Sequence, residues 1–95
     1  MQFIALTRRM TDKFEERDFE PLQEHESQRV RALYTEGFIR QIWRRNDIKG
    51  ACLMLEADTE AEVREKLATL PFAQAGMLEI VHVIQLSPYH GFAPI

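Results

Sequence analysis

Apolar residues recur at two periods along this chain, and the changes of period mark out its elements. Phe3 to Thr7 is short and suits a half-buried pleat, which predicts a first strand. Arg8 to Glu20 is charged and irregular, with Phe14 and Phe19 as isolated apolar anchors, and reads as a connection. From about Glu20 to Glu36 the spacing becomes helical. Leu22, Glu26, Val30 (or Arg29), Leu33 and Gly37 form one stripe, with Tyr34 beside it. Pro21 fits the first turn of such a helix, where it lacks only a dispensable N–H, and Gly37 supplies the left-handed residue that ends it. Phe38 to Arg45 and Ala51 to Ala57 then read as two strands joined by the polar turn Asn46 to Gly50. Thr59-Glu60-Ala61-Glu62 is a capping box that starts a second helix, with Val63, Leu67 and Leu70 as its buried stripe and Pro71 as its stop. After a linker through Gly76, Leu78 to Leu86 is a last strand with apolar residues on both faces. The element order is β-α-β-β-α-β. Two helices cover one face of the sheet, and the doubly apolar last strand requires cover on the other, which predicts a partner sheet and hence a dimer.

Composition fits one α+β domain spanning residues 1–95, with a C-terminal tail from about residue 87: the 95 residues are 45% apolar and 28% charged. A chain this short buries only about 60 to 65% of its unfolded surface, so self-association is a natural route to further stability. The net charge of −3 is unevenly spread. Arg40, Arg44, Arg45 and Lys49 make the hairpin electropositive, against Asp47, while the second half is net acidic. The single cysteine, Cys52, sits in an apolar strand with no metal-ligand spacing around it, which favours a reducing compartment. No signal-peptide pattern or membrane-length apolar run is present, so the expected location is the cytoplasm, away from membranes.

The same element order frames RNA-recognition domains. Their third strand carries aromatic rings that stack bases, whereas this chain reads Lys49-Gly50-Ala51-Cys52-Leu53-Met54-Leu55-Glu56. With no stacking platform and a negative net charge, nucleic-acid binding is not expected. Glu26 is the strongest candidate for chemistry. A carboxylate in an apolar helix stripe either finds a partner, here Arg29 or Arg40, or has its pKa raised by desolvation, which suits a proton shuttle. His25 is its neighbour, although adjacent helical side chains diverge. Trp43, the one tryptophan, is either core, subunit interface or a ligand-stacking surface. Arg40, Ile42 and Arg44 alternate along one strand, so both arginines share a face and could hold a ligand carboxylate by forked hydrogen bonds. His82, between Val81 and Val83, reads as a core or interface histidine. Three dispersed histidines define no metal site. Phosphate-binding glycine loops and hydrolase signatures are absent.

Glu36-Gly37, Ile42-Trp43-Arg44, the acidic capped second helix and Leu67-Ala68-Thr69-Leu70-Pro71 together resemble the muconolactone isomerase family over roughly residues 20 to 84. The closing Leu86-Ser87-Pro88-Tyr89-His90-Gly91-Phe92 resembles the tail of relatives in that family other than the isomerase itself. The resemblance implies a ferredoxin-like βαββαβ sandwich forming a dimeric α/β barrel, often assembled into larger rings. It places a pocket between helices and sheet, closed by a neighbour's C-terminal tail. The isomerase moves a proton within an unsaturated lactone acid with an acid-base carboxylate and no cofactor. Carried over, Glu26 would take a proton from the carbon beside the lactone carbonyl and return it elsewhere. Arg40 or Arg44 would anchor the substrate carboxylate, with His25 and Trp43 near the ligand. Gln41 stands where the isomerase is expected to carry a histidine, and the first strand is more apolar, which implies a different substrate. The readings are an isomerase or related lyase acting on a small unsaturated lactone or organic acid, a cofactor-free monooxygenase on the same barrel, and a noncatalytic ligand-binding oligomer. Fold alone does not choose among them.

Overall fold

A computed structural model describes residues 1–91. The chain runs β1 (Gln2–Arg9), α1 (Glu16–Thr35), β2 (Ile39–Arg44), β3 (Ala51–Glu56), α2 (Glu60–Leu67), α3 (Pro71–Gln74) and β4 (Leu78–Leu86). The strands pair antiparallel in the order β2-β3-β1-β4, the ferredoxin-like arrangement that the family resemblance implies. Phe3 and Ala5 of β1 and Leu53 and Leu55 of β3 point to one face, where they pack with Leu33 of α1 and Val63 and Leu67 of α2. The last residues of the expected tail, from Phe92 on, lie outside the described residues.

The first helix corrects the expectation, starting at Glu16 rather than near Glu20. The Glu15 N–H donates to Asp18 Oδ2 at 2.7 Å, and Glu16 and Asp18 set negative charge against the positive end of the helix dipole. Phe19 is then buried against Phe72, ring centroids 5.3 Å apart, so packing secures the extra turn. Pro21 consequently lies inside the helix rather than in its first turn, where it forfeits one hydrogen bond, to the Arg17 carbonyl. Tyr34, next to buried Leu33 at the side of the stripe, is exposed. The C-terminus follows expectation. Gly37 has φ +91°, its N–H donates to the Tyr34 carbonyl at 3.0 Å, and that of Phe38 reaches Leu33 at 3.0 Å, the paired bonds of a Schellman motif.

The β2–β3 hairpin is pinned to β1. The Arg45 guanidinium donates to Asp47 Oδ2 at 2.6 Å and to the Thr7 carbonyl at 3.3 Å. Gly50 passes so close to β1 that a Cβ there would lie 2.1 Å from the Thr7 carbonyl oxygen. A bulge between Ile39 and Gln41 leaves Arg40 without a register partner and puts Ile39 opposite Leu55 and Ile42 opposite Leu53. Thr59 caps α2 by accepting the Glu62 N–H at 3.1 Å. Glu62 in return accepts from the Asp58 N–H at 3.1 Å, one residue before the cap rather than at it. Pro71 opens the short helix α3 instead of only ending α2.

The opposite face of the sheet has no cover in this chain. Ile4 lies between Met54 and Ile84, and Leu6 between Cys52 and His82. None of the six is buried. His82 is thus exposed on this outer face, not a core histidine.

Candidate active site

A cavity of about 430 Å³ opens between α1, α3 and the covered face of the sheet. That volume is in the range of small-molecule sites. Its floor is built by strand alternation: Thr7 and Arg9 on β1, Ala51 and Leu53 on β3, and Ile42 and Arg44 on β2. Its roof is one face of α1, where Gln23, Glu26, Ser27 and Val30 recur at helical spacing, closed by Leu70 and Phe72. The lining is mostly apolar with a few convergent polar groups, the composition that orients a small organic ligand.

Glu26 is the buried charged residue of this lining, 8% exposed. Its Oε1 accepts the Phe72 N–H at 2.9 Å, near the start of α3 where the helix leaves its own N–H groups unpaired. Its Oε2 takes no hydrogen bond among the described residues, and no buried side-chain oxygen or nitrogen there lacks a partner, so Oε2 is open to the cavity. Burial pushes the carboxyl pKa above its ordinary value, while the Phe72 N–H and the positive charge of Arg9 pull it partly back. One oxygen is therefore held by the fold and the other presented to a ligand.

Arg9 is the second charged group near this carboxyl. Its Nη2 donates to Gln23 Oε1 at 3.2 Å, and Gln23 Nε2 in turn donates to Ser27 Oγ at 3.3 Å. The guanidinium carbon lies 5.2 Å from the Phe19 ring centre and 5.0 Å from that of Phe72. Thr7 is buried, its hydroxyl accepting the Ala51 N–H at 3.1 Å, and so fixes the floor between β1 and β3.

Of the residues singled out from sequence, Glu26, Trp43 and Arg44 border the cavity together. Trp43 is 47% exposed on the edge strand, so it is not a core residue of this chain. His25 is exposed and Arg40 is exposed at the bulge, and neither lines the cavity. Pairing of Glu26 with Arg29 or Arg40 is not found: Arg29 Nε donates instead to Thr69 Oγ1 at 2.9 Å. Sequence reasoning missed Arg9, Gln23 and Phe72. The signal for Arg9 was available, because Phe3, Ala5, Thr7 and Arg9 alternate onto one face once the strand is allowed to run past Thr7. Gln23 lies three residues before Glu26 on the same helix face. Phe72 had no local signal, since its role comes from a main-chain N–H at the start of a four-residue helix.

Among solved structures, the chain is similar to the 5-chloro-2-hydroxyhydroquinone dehydrochlorinase TftG from Burkholderia phenoliruptrix AC1100, solved in complex with 2,5-dihydroxybenzoquinone. The TM-score is 0.73 at 17% identity, covering 92% of this chain and 94% of that one, which establishes the shared fold. No curated protein matches the chain. The family model described as muconolactone delta-isomerase matches residues 1–91, and the chain belongs to that family.

Proposed function

We propose that this protein is a cofactor-independent isomerase that moves a proton within a small unsaturated lactone or organic acid, with Glu26 as its acid-base residue. The observation that carries the reading is Glu26 itself: buried, anchored through one oxygen to the Phe72 N–H, and open to the cavity through the other. A carboxyl with its pKa raised by burial exchanges protons with a carbon acid more readily than an ordinary surface carboxylate. Anchoring through Oε1 fixes the direction of Oε2, so a bound substrate meets a base already oriented. In the proposed cycle, Oε2 takes the acidic C–H proton at one end of the unsaturated lactone system, the γ carbon when the double bond is conjugated with the carbonyl. The C–H electron pair moves into the conjugated system and charge builds on the carbonyl oxygen. The same carboxyl then returns the proton at the other end of that system, the carbon beside the carbonyl, so the double bond shifts and atoms are conserved. Arg44, exposed at the mouth, attracts the acid as it enters.

Family membership and a neighbour named for dehydrochlorination both support small-molecule chemistry in this fold. The uncovered sheet face, with Ile4, Leu6, Met54 and Ile84, supports assembly through that face into a dimer or larger homo-oligomer. We place the protein in the cytoplasm on its single unpaired cysteine; no helix among the described residues is long and apolar enough to cross a membrane. The test is a set of unsaturated lactone acids, muconolactone first, followed by ultraviolet absorbance in an oxygen-electrode cell. Double-bond migration without oxygen uptake supports the proposal. Oxygen uptake coupled to substrate loss transfers it to the monooxygenase reading.

A further inference from the structure

We infer that Arg9 is the carboxylate-holding residue of this cavity, a guanidinium kept ready for a planar oxyanion on an otherwise apolar ligand. The inference rests on reading the cavity as the site of a small organic acid. Arg8, Arg17, Arg31, Arg45 and Arg64 each form an ion pair with an acidic side chain; Arg9, Arg29, Arg40 and Arg44 form none among the described residues, and of these four Arg9 alone is held against two aromatic rings there. It is nevertheless partly buried and tightly positioned. Gln23, itself held by Ser27, fixes one nitrogen, and the rings of Phe19 and Phe72 lie against the guanidinium, themselves edge to face at 88°. A charge without a salt-bridge partner, held by a neutral acceptor and two aromatic rings, keeps donors free for a bidentate oxyanion.

Its place in the cavity fits that role. Arg9 also borders a second, smaller cavity of about 360 Å³, so it lies where the two cavities adjoin. Arg44 lies opposite Ala51 on β3, and Ala51 is bonded to Thr7 on β1, so the two arginines are two strands apart across the floor. Their exposure differs, Arg44 being exposed and Arg9 half-buried, which assigns the arginines different tasks. Arg44 at the exposed mouth attracts the acid, and Arg9, semi-buried beside Phe72, holds it. Glu26, bonded to the Phe72 N–H, then lines the same cavity as the held acid. The ligand class is a monocarboxylic acid with a flat, weakly polar body: its carboxylate goes to Arg9, and the body lies along Phe72 and Leu53 towards Glu26.

The probe is benzoate, with benzamide as its uncharged counterpart, titrated by calorimetry into the native protein, Arg9→Met, Arg9→Lys and Arg44→Gln. The expected result is that benzoate binds the native chain and benzamide binds much more weakly. Arg9→Met should weaken benzoate binding on the order of 10- to 100-fold, the loss of a charge-assisted bond, and leave benzamide unaffected. Arg9→Lys, which keeps the charge but not the fork, should fall between; Arg44→Gln should change affinity by less than about threefold and mainly reduce its salt dependence. If Arg9→Met does not fold, as judged by circular dichroism, the Arg9→Lys and Arg44→Gln comparison decides alone. Benzoate binding that is absent in the native protein, equal to that of benzamide, or lost with Arg44→Gln but kept in both Arg9 variants would overturn the inference. Arg9-dependent benzoate binding without any Glu26-dependent proton exchange would leave it standing and remove the isomerase reading instead.

Discussion

Replacing Glu26 by Gln separates its two jobs, because the amide keeps an acceptor for the Phe72 N–H while removing the ionisable group. Exchanging a charge-assisted bond for a neutral one costs about 1 kcal/mol. Relief from holding a carboxylate out of water offsets much of that at neutral pH, since burial is the largest influence on this carboxyl and raises its pKa. The net change at pH 7 is therefore expected within about 1 kcal/mol of zero. Glu26→Ala removes the acceptor as well, leaving the Phe72 N–H unpaired and a small void, for a cost of about 2 to 4 kcal/mol. The pH dependence has a definite sign. A carboxyl whose pKa is higher in the folded state binds its proton more tightly there, so its stabilising contribution is complete below the ordinary carboxylate value of 4.5. It is lost as the pH rises through the raised folded value. Native protein should thus lose stability relative to Glu26→Gln as pH rises from acid to neutral. Urea unfolding of all three proteins at acid and neutral pH measures this, provided the slopes agree. A Glu26→Gln protein destabilised by more than about 2 kcal/mol at neutral pH, with the deficit growing as pH rises, would refute the reasoning. It would make Glu26 a structural anion paired with Arg9.

Three further outcomes follow from the fold and assembly. Gly50→Ala forces a methyl to within 2.1 Å of the Thr7 carbonyl oxygen and should cost about 3 kcal/mol or more, read by thermal unfolding; a neutral result would mean the hairpin sits further from β1. Asp47, held by Arg45, should titrate at about 2 rather than 3.8. Its contribution to the hairpin is present above 3.8 and lost as pH falls through about 2, which carbonyl NMR follows residue by residue; an ordinary midpoint would show the ion pair is not populated. Trp43 is half exposed in the single chain, so Trp43→Ala should cost well below the about 3 to 5 kcal/mol of a core aromatic in dilute monomer. Trp43 lies opposite Cys52, on the uncovered sheet face, so a concentration-dependent blue shift of its emission, tracking sedimentation, would report burial of that face by a second copy; none at any concentration would remove that interface.

The architecture was legible because its signals are local. Gly37 ends α1 through a positive φ that it adopts without strain, Thr59 caps α2 through its own hydroxyl, and the polar turn Asn46 to Gly50 joins β2 to β3. Glu26 was legible for the same reason, as a charge at an apolar helical position. What local pattern could not supply was register and long-range contact. The bulge at Arg40 breaks the simple alternation that had put Arg40 beside Arg44, leaving one arginine at the cavity and one in solvent. The early start of α1 depends on Phe19 meeting Phe72, a contact across 53 positions of chain. Arg9 was hidden in a segment read as a connection, because a charged residue at the end of a strand looks like solvent-facing sequence until the opposite wall is known.

The central claim is that Glu26 transfers a proton to and from carbon. It is tested most directly by proton NMR of muconolactone and related lactone acids in D₂O, with native protein and Glu26→Gln side by side. The account predicts deuterium entering the carbon beside the carbonyl, or double-bond migration, with native protein and its loss, on the order of 100-fold or more, in Glu26→Gln. Exchange at equal rates with both proteins would contradict it.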